Sequence, residues 1–402
     1  MNRPPSASIA ELSRSCWDLI VIGAGLAGTV SAILTARAGR RVLIVDAKAF
    51  PRDKVCGCCF NERALSILSA AGLDGVRDRL PGIPLRRVEF VNGDRTVPVN
   101  ARGGIAISRS TLDQALVDAA IEAGATFRPG CSARLLPLAP EDRTRGAATP
   151  DARHVRLTST AEEAVVAAKC VAVADGLNRR SASDCVDEFP YRIHPRSWIG
   201  LGAMVAADAL AMPSGLLRMV IGRSGYVGAV RVEGGRASLA AAVSADFVRD
   251  EQSPGEAIAA LFNSSDPETT AAISGAKWTG TGRLTRSSLK IAGHRTLLIG
   301  DAAGYVEPIT GEGMSWALAS ALEAAPLLSR GVDSWSSRLA EEWEDRFRRR
   351  ILSRRLWCNV LSRTLRNPRL VSGCLSIASR FPILPRLISA GINQPVTRWN
   401  TF

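Results

Sequence analysis

Residues 19–28 read Leu-Ile-Val-Ile-Gly-Ala-Gly-Leu-Ala-Gly, and a run of small and apolar residues continues to position 38. The four apolar residues predict a buried strand, the glycines predict a tight turn, and the following run predicts a helix. Gly23 permits the turn, Gly25 leaves room for a pyrophosphate to approach the backbone, and Gly28 lets the helix pack closely on the strand. The stretch therefore predicts a dinucleotide-binding βα unit, with the pyrophosphate at the positive end of the helix.

A second strand pattern supports the same interpretation. Residues 41–45 read Arg-Val-Leu-Ile-Val and lead into Asp46, which follows Gly28 by 18 residues. An acid near this spacing accepts hydrogen bonds from ribose hydroxyls in dinucleotide-binding units. We expect Ala24, Ala27 and Ala47, which lie inside the glycine pattern and directly after the acid, to contact the dinucleotide as well. An ordinary glycine-rich turn is the alternative.

Composition limits the class of protein. The chain has 402 residues, 46% of them hydrophobic, which is enough for more than one domain and a sizeable core. Nine cysteines without regular spacing predict reduced thiols and a cytoplasmic protein. No secretory signal is visible in the first 15 residues, and no apolar run is long enough to predict a membrane span. No metal site is expected, because the chain has only three histidines and no second cysteine pair at ligand spacing.

The positive charge is concentrated near the C-terminus. The net charge is +13, and residues 331–402 contribute +8 of it through 13 arginines and 5 acidic residues. Because the arginines alternate with apolar residues in helical register, this region predicts basic amphipathic helices. They would form either a solvated face over a core or a surface for peripheral association with an anionic membrane. A nucleic-acid partner is not expected, since no binding motif accompanies the charge.

Two further motifs follow the glycine turn, and together they indicate a family. They are Asp175-Gly176 with Ser181, and Gly300-Asp301-Ala302-Ala303-Gly304. The sequence resembles the flavoproteins of the para-hydroxybenzoate hydroxylase superfamily, and within them most closely the geranylgeranyl reductase family. The resemblance covers nearly the whole chain. Its densest parts are Pro-Arg-Asp-Lys-Val-Cys-Gly at 51–57, Ser-Arg-Ser-Thr-Leu-Asp at 108–113, and Gly-Asp-Ala-Ala-Gly-Tyr-Val-Glu-Pro-Ile-Thr-Gly-Glu-Gly-Met at 300–314.

The resemblance implies FAD as the cofactor. Asp301, at the end of a predicted strand, would accept a hydrogen bond from a ribityl hydroxyl. The glycine-rich run at 311–313 opens a helix, whose positive end would stabilise the charge that a flavin gains on reduction. Arg109, and with it Arg52, resembles the family arginine near the flavin and pyrophosphate. The other residues expected to contact FAD are Cys56, Gly57, Asp175, Gly300, Pro308, Gly311, Gly313 and Met314.

The resemblance also implies a fold with discontinuous domains. We expect an α/β protein with a glutathione-reductase-like FAD-binding Rossmann domain, an inserted β-rich substrate domain and a C-terminal helical tail. The expected boundaries are a disordered leader at 1–15, the FAD-binding domain at 16–190 and 285–330, the substrate domain at 191–284, and the basic helical region at 331–402.

Two departures from the family concern the reaction. The segment Cys56-Gly57-Cys58-Cys59 has two cysteines where the family has glycines, and the resemblance places it against the flavin ring. Cys56 is therefore a candidate catalytic thiol, with small buried thiols that only fill space as the alternative. The stretch 224–230 keeps only Tyr226 of an aromatic-rich family strand, so Tyr226 is the second catalytic candidate. The paired tryptophans of flavin halogenases are absent.

The sequence thus predicts an FAD-dependent oxidoreductase with a hydrophobic small-molecule substrate. The favoured reaction is hydride transfer from reduced flavin to a carbon–carbon double bond of an isoprenoid-like or polyketide-like compound. NADPH or NADH is the expected transient electron donor, because the chain has no second dinucleotide fingerprint. Two alternatives stay open: hydroxylation of a phenolic or polyketide ring through a flavin hydroperoxide, and a redox sensor that uses the cysteine segment.

Overall fold

A computed structural model describes residues 7–101, 103–138, 152–307 and 309–355, together with ten positions between 358 and 376. The strands are β1 (Trp17–Ile22), β2 (Val42–Val45), β3 (Cys59–Phe60), β4 (Ile83–Pro84), β5 (Arg87–Asn92), β6 (Arg95–Asn100), β7 (Ile105–Ala106), β8 (Thr126–Arg128), β9 (Ser132–Leu135), β10 (Arg153–Thr158), β11 (Glu163–Val173), β12 (Tyr191–Ile193), β13 (Ile199–Ala206), β14 (Leu216–Gly222), β15 (Gly225–Val232), β16 (Arg236–Val243), β17 (Thr279–Arg283), β18 (Arg286–Ser288), β19 (Ala292–Gly293), β20 (Thr296–Leu298) and β21 (Gly304–Tyr305).

The α-helices are α1 (Ile9–Leu12), α2 (Leu26–Arg37), α3 (Glu62–Ala70), α4 (Asp74–Arg77), α5 (Arg109–Glu122), α6 (Ala245–Asp250), α7 (Pro254–Phe262), α8 (Pro267–Ser274), α9 (Gly313–Asp333) and α10 (Ser337–Phe347). Short 3₁₀ helices cover Arg180–Cys185, Ala207–Ala209 and Gly300–Ala303, and a π-helical turn covers Arg348–Leu352. None of the helices within the described ranges combines the length and the apolar composition needed to cross a bilayer.

The nucleotide-binding half is built on a sheet with a parallel centre. β1 lies between β2 and β11, and β8 and β20 extend the sheet on the two sides, all in parallel register. The four residues of β2 and nearly all of β1 are buried, as expected when helices cover both faces of a parallel sheet. α2 links β1 to β2 and packs against α9. The predicted α/β flavoprotein architecture is confirmed.

The second large sheet has seven strands in the order β17-β13-β16-β15-β14-β5-β6. One face carries a core with α7, in which Leu239 and Val243 of the sheet join Ile258 and Phe262 of the helix. The other face points toward the first sheet. This β-rich part begins earlier than the expected residue 191, because β14 pairs in parallel with β5 and thereby recruits the β5–β6 hairpin at 87–100.

The leader prediction is wrong over residues 7–15. Ser8 forms a reciprocal capping box with Glu11 and starts α1, whose Ile9 and Leu12 are buried in the core of the nucleotide-binding half. The indole nitrogen of Trp17 donates to the Leu12 carbonyl at 3.0 Å and ties this turn to β1. The expected disorder of residues 1–6 lies outside the described residues.

The region after residue 331 is not a separate appendage. α9 continues to Asp333, and α10 places Trp343 and Phe347 in the same core as the parallel sheet. Trp343 is fully buried, and its indole nitrogen donates to the carbonyl of Leu298 in β20 at 3.1 Å. The beginning of the basic region is therefore a solvated face over a core. Residues 377–402 lie outside the described part of the chain.

This packing predicts a large loss of stability on truncating the indole. We expect Trp343→Ala to lower the free energy of unfolding by about 3–5 kcal/mol, because it leaves a cavity and an unpaired carbonyl in β20. Denaturant titration of the holoprotein measures this change. Arg338→Ala, on the exposed face of the same helix, is the control and should change the unfolding free energy by less than about 0.5 kcal/mol. Equal stability of the Trp343 variant and the wild type would contradict the assignment of α10 to the core.

Candidate active site

A cavity of about 570 Å³ lies between the two sheets and is lined mostly by apolar side chains. Its nucleotide side is formed by the start of α2, residues 54–59 and residues 309–314. Its other side is the exposed face of the β-rich sheet, where alternate residues such as Leu217, Met219 and Ile221 of β14 point inward. The cavity thus joins the predicted dinucleotide turn to the predicted substrate wall.

The geometry of the three turn glycines agrees with the prediction of a tight turn, close packing and free space. At Gly23, φ is +105° and a Cβ would lie 2.5 Å from the Ala174 carbonyl oxygen. A Cβ at Gly28 would overlap the Gly23 carbonyl oxygen. At Gly25 there is free space, bounded by Arg109 Nη2 at 3.7 Å and Arg52 Nη2 at 4.0 Å from the Cβ position. An open helix N-terminus facing two guanidinium groups fits the pyrophosphate of a dinucleotide.

The two arginines are fixed by a buried carboxylate. Arg109 forms a bidentate pair with Asp113, with both nitrogen–oxygen distances at 2.9 Å, and Arg52 Nη1 lies 3.1 Å from the same carboxylate. Although burial opposes the charge of Arg109, the Asp113 carboxylate and Cys56 raise its pKa above the ordinary value. The sequence analysis did not select Asp113. Its position four residues after Arg109 on a predicted helix was an available signal.

The predicted ribose acid lies at the carboxyl end of β2. Asp46 Oδ2 accepts hydrogen bonds from the Ala24 amide at 2.9 Å and from Arg52 at 3.2 Å, and Oδ1 accepts from the Lys48 amide at 2.9 Å. The carboxylate therefore links the glycine turn to the arginine pair. Ala47, which follows it, is exposed.

The other end of the nucleotide side fits a flavin. Asp301 lies on the cavity wall, with Lys54 Nζ 3.7 Å from its Oδ2. A Cβ added at Gly57 or Gly311 would meet no atom within 4 Å, so open space lies in front of both residues. α9 begins beside this space with Gly313, followed by Met314, and both line the cavity. Its amide groups and dipole would stabilise negative charge there. Gly300 and Ala27 pack against each other beside it.

Half of the predicted contact residues line the cavity, and one cannot be placed. Those that do not line it are Gly23, Ala24, Gly28, Asp46, Ala47, Arg52, Asp175 and Gly300. The Asp175 carboxylate accepts a hydrogen bond from the Ser181 amide at 2.8 Å and caps the 3₁₀ helix at 180–185. Burial raises its pKa. Its neighbours Ala174 and Gly176 line the cavity, but Asp175 does not. Oδ2 shapes the turn, while the buried Oδ1 has no hydrogen-bond partner among the described residues. Pro308 lies outside the described residues.

One thiol of the cysteine segment has a lowered pKa. Cys56 is half-buried on the cavity wall; a hydrogen bond involving the Cys58 thiol and the nearby Arg109 guanidinium lower its pKa to about 6, against the effect of burial. Burial raises the pKa of Cys59 to about 12. The Cys58 side chain is buried, with φ at +55°, a conformation that favours glycine. A glycine would adopt this backbone conformation without strain.

Tyr226 lines the same cavity as Cys56, but from the β-rich sheet. It lies on β15, is 7% exposed, and meets Trp198 edge-on with ring centroids 5.8 Å apart. Burial, together with the charge of Glu307, raises its pKa. Tyr305 also lines the cavity, and burial raises its pKa well above the ordinary value. Both hydroxyls therefore stay protonated at neutral pH. Sequence analysis selected Tyr226 alone, although Tyr305 lies inside the 300–314 motif.

The C-terminal region closes one side of the site, which the sequence did not indicate. Arg366 Nη2 lies 2.8 Å from Oε1 of the fully buried Glu307, and its guanidinium lies over the Trp198 ring at 5.0 Å. Arg355 donates to the Gly304 carbonyl at 2.7 Å. Both contacts fall on the motif that follows β20, so the C-terminal region holds the loop that leads into α9.

The glycine turn at 23–28, the pair Arg52 and Arg109, and the apolar cavity together define an α/β flavoprotein. Residues 17–339 match the family described as "FAD binding domain". The chain belongs to this family and is an FAD-dependent oxidoreductase, and the resemblance to the para-hydroxybenzoate hydroxylase superfamily is confirmed. Of the predicted FAD contacts, Gly25, Arg109 and Asp301 line the cavity, and Arg52 lies beside Gly25.

The chain is similar in sequence to a reductase and similar in fold to several solved flavoproteins. The menaquinone reductase of Mycobacterium tuberculosis is 30% identical over 366 residues, which cover 81% of this chain and 80% of that protein. A flavoprotein/dehydrogenase from Cytophaga hutchinsonii has a TM-score of 0.76 at 17% identity, over 94% of this chain and 92% of the other. The p-nitrophenol 4-monooxygenase of Pseudomonas putida has a TM-score of 0.72 at 15% identity, over 95% and 99%. At these identities the two structures establish the fold alone.

Proposed function

We propose that the protein reduces a carbon–carbon double bond of a hydrophobic, isoprenoid-like or polyketide-like substrate. The observation that carries the proposal is the apolar cavity, which begins at Cys56 and Gly311 and extends along β14 to β16. A substrate made largely of hydrocarbon would gain free energy by leaving water for such walls. The similarity to menaquinone reductase and the sequence resemblance to geranylgeranyl reductases support the same reaction type.

The chain's own residues would perform three tasks. Leu217, Met219 and Ile221 hold the substrate and exclude water from the reacting bond. FAD, when bound and reduced by a donor such as NADPH or NADH, supplies the hydride. Cys56 supplies the proton to the neighbouring carbon, so that the double bond gains one hydride and one proton. The guanidinium of Arg109 lies beside Cys56, so its positive charge is close both to the thiol and to the free space in front of Gly25.

Product analysis tests the proposal. Holoenzyme, NADPH and a quinone with an unsaturated isoprenoid chain are incubated without oxygen, and the product is analysed by mass spectrometry. We expect a product that is heavier by two hydrogen atoms in H₂O and that takes deuterium into the chain when the reaction runs in D₂O. A hydroxylated product formed only when oxygen is present would instead support the monooxygenase alternative, which shares the fold.

The proposed role of Cys56 predicts a pH dependence. Proton donation needs the neutral thiol, and the pKa of Cys56 is lowered to about 6. The rate constant for turnover should therefore be level below about pH 6 and fall about tenfold per pH unit above it. Steady-state measurements at saturating substrate between about pH 5 and 8 check this slope. A rate that stays constant or rises across that range would exclude Cys56 as the proton donor.

A further inference from the structure

Two hydroxyl groups on the cavity wall make no hydrogen bond to the described residues, namely those of Tyr226 and Tyr305. The other hydroxyl side chains on this wall differ. Thr281, Thr310 and Thr364 each bond to a protein group at 2.9–3.1 Å. A phenolic hydroxyl inside an apolar cavity loses its bonds to water, and that loss is recovered when a ligand supplies the partner. The tyrosine pair is therefore a candidate ligand contact.

The ring of Tyr226 is held in place from behind. Trp198 packs edge-on against it, the Trp198 amide donates to Glu307 at 3.2 Å, and Arg366 covers the indole at 5.0 Å. Tyr305 packs against the same apolar cluster that contains Trp198 and Tyr226. A hydroxyl on a ring fixed in this way has little freedom to find another partner. Fixed donors select a ligand acceptor by position.

The chemistry of the wall decides which acceptor fits. Both hydroxyls are neutral donors, and the charged side chains on the cavity wall, Lys54, Arg109 and Asp301, are on the nucleotide side. All three are in ion pairs with carboxylates or with each other. An anionic head group such as a diphosphate would therefore meet no unpaired cation among the described residues that line the cavity. Arg355, whose charge acts on Tyr305, is not part of this wall and donates to the Gly304 carbonyl. A neutral carbonyl oxygen on a flat apolar ring suits two phenols set among residues such as Met219.

We propose that Tyr226 and Tyr305 form a binding site for a ring carbonyl oxygen of a quinone-type head group on the hydrophobic substrate. This inference rests on the proposed function, because it names the class of compound whose side chain is reduced. The site orients the head group by hydrogen bonds, while the apolar walls take the hydrocarbon chain. The tyrosines bind and position the substrate; the proton is supplied by Cys56.

The test compares two ligands on three variants. The ligands are a naphthoquinone with a short isoprenoid chain and the naphthalene with the same chain and no oxygen. Binding to oxidised holoenzyme is measured from the perturbation of the flavin absorbance. We expect the wild type to bind the quinone at least about tenfold more tightly than the naphthalene. Tyr226→Phe and Tyr305→Phe should each weaken quinone binding by about tenfold and leave naphthalene binding unchanged. Tyr191→Phe, an exposed tyrosine elsewhere, is the matched control.

Two results would overturn the inference. One is equal affinity of the wild type for the two ligands; the other is loss of affinity for both ligands in the tyrosine variants, which would indicate a packing role. Product analysis separates this inference from the proposed reaction. If the quinone binds as expected but neither chain is reduced, the proposed reaction fails and the carbonyl site stands. If both chains are reduced equally well, the reaction stands and the carbonyl site fails.

Discussion

Gly25→Val should purify without flavin. Free space lies in front of Gly25, and the Cβ position is 3.7 Å from Arg109 Nη2 and 4.0 Å from Arg52 Nη2. A branched side chain would fill the space in which the pyrophosphate approaches the helix amides and the two guanidinium groups. We expect FAD affinity to fall by about 100-fold or more, which corresponds to about 2.7 kcal/mol. Flavin absorbance relative to protein absorbance after gel filtration measures retention.

A matched glycine variant controls for effects on folding. A Cβ at Gly75 in α4 meets no atom within 4 Å, so Gly75→Val should keep its flavin. Circular dichroism should show that both variants are folded. A Gly25→Val protein that purifies yellow, with the wild-type ratio of flavin to protein, would contradict the assignment of the glycine turn to the pyrophosphate.

Cys56→Ala should keep FAD and lose turnover. The thiol lies on the cavity wall between the cofactor side and the β-rich sheet, with Arg109 near enough to lower its pKa. Removing a proton donor typically slows a reaction by about 10²–10⁴-fold, and we expect a loss in that range in steady-state turnover without oxygen. Reduction of the bound flavin by the electron donor should keep its wild-type rate, because the thiol acts only on the substrate.

Cys59→Ala is the matched control for this variant. The Cys59 thiol donates to the Gly57 carbonyl at 3.1 Å, and burial keeps it protonated. This variant should turn over at nearly the wild-type rate. Wild-type kinetics in Cys56→Ala would leave only the packing role for that thiol. The redox-sensor alternative makes a different prediction. The wild type would show no turnover, and both variants would lose the binding of a partner that depends on the thiols.

The parts of the site that depend on local sequence were predictable. Gly23, Gly25 and Gly28 act within one strand–turn–helix unit, so their spacing is enough to specify their roles. Arg109 and Gly311 lie in motifs whose residues are close in the chain. Asp175 shows the limit of this approach: the motif was recognised, but a strand that ends in Asp-Gly also allows the carboxylate to cap the next turn, and here it does so.

Contacts between distant segments were not predictable from one sequence. The recruitment of β5 by β14 joins residues about 130 positions apart, and nothing in the alternation of the hairpin specifies its partner. The Arg366–Glu307 pair over Trp198 depends on how the C-terminal region returns to the cavity. The leader was missed for a different reason. Its Ser8–Glu11 capping box can be recognised from the local sequence. The proline-containing start of the chain nevertheless favoured a prediction of disorder over the short apolar pattern.

The reduced enzyme should react with a carbon–carbon double bond of its substrate and not with oxygen. Stopped-flow spectroscopy of anaerobically reduced holoenzyme tests this in two experiments. In the first the enzyme is mixed with the isoprenoid quinone without oxygen, and in the second with oxygenated buffer alone. We predict rapid flavin reoxidation by the quinone without oxygen, together with a product whose chain has lost one double bond, and slow reoxidation by oxygen alone. Rapid reaction with oxygen that yields a hydroxylated ring, with no loss of a chain double bond, would rule out the proposed reduction.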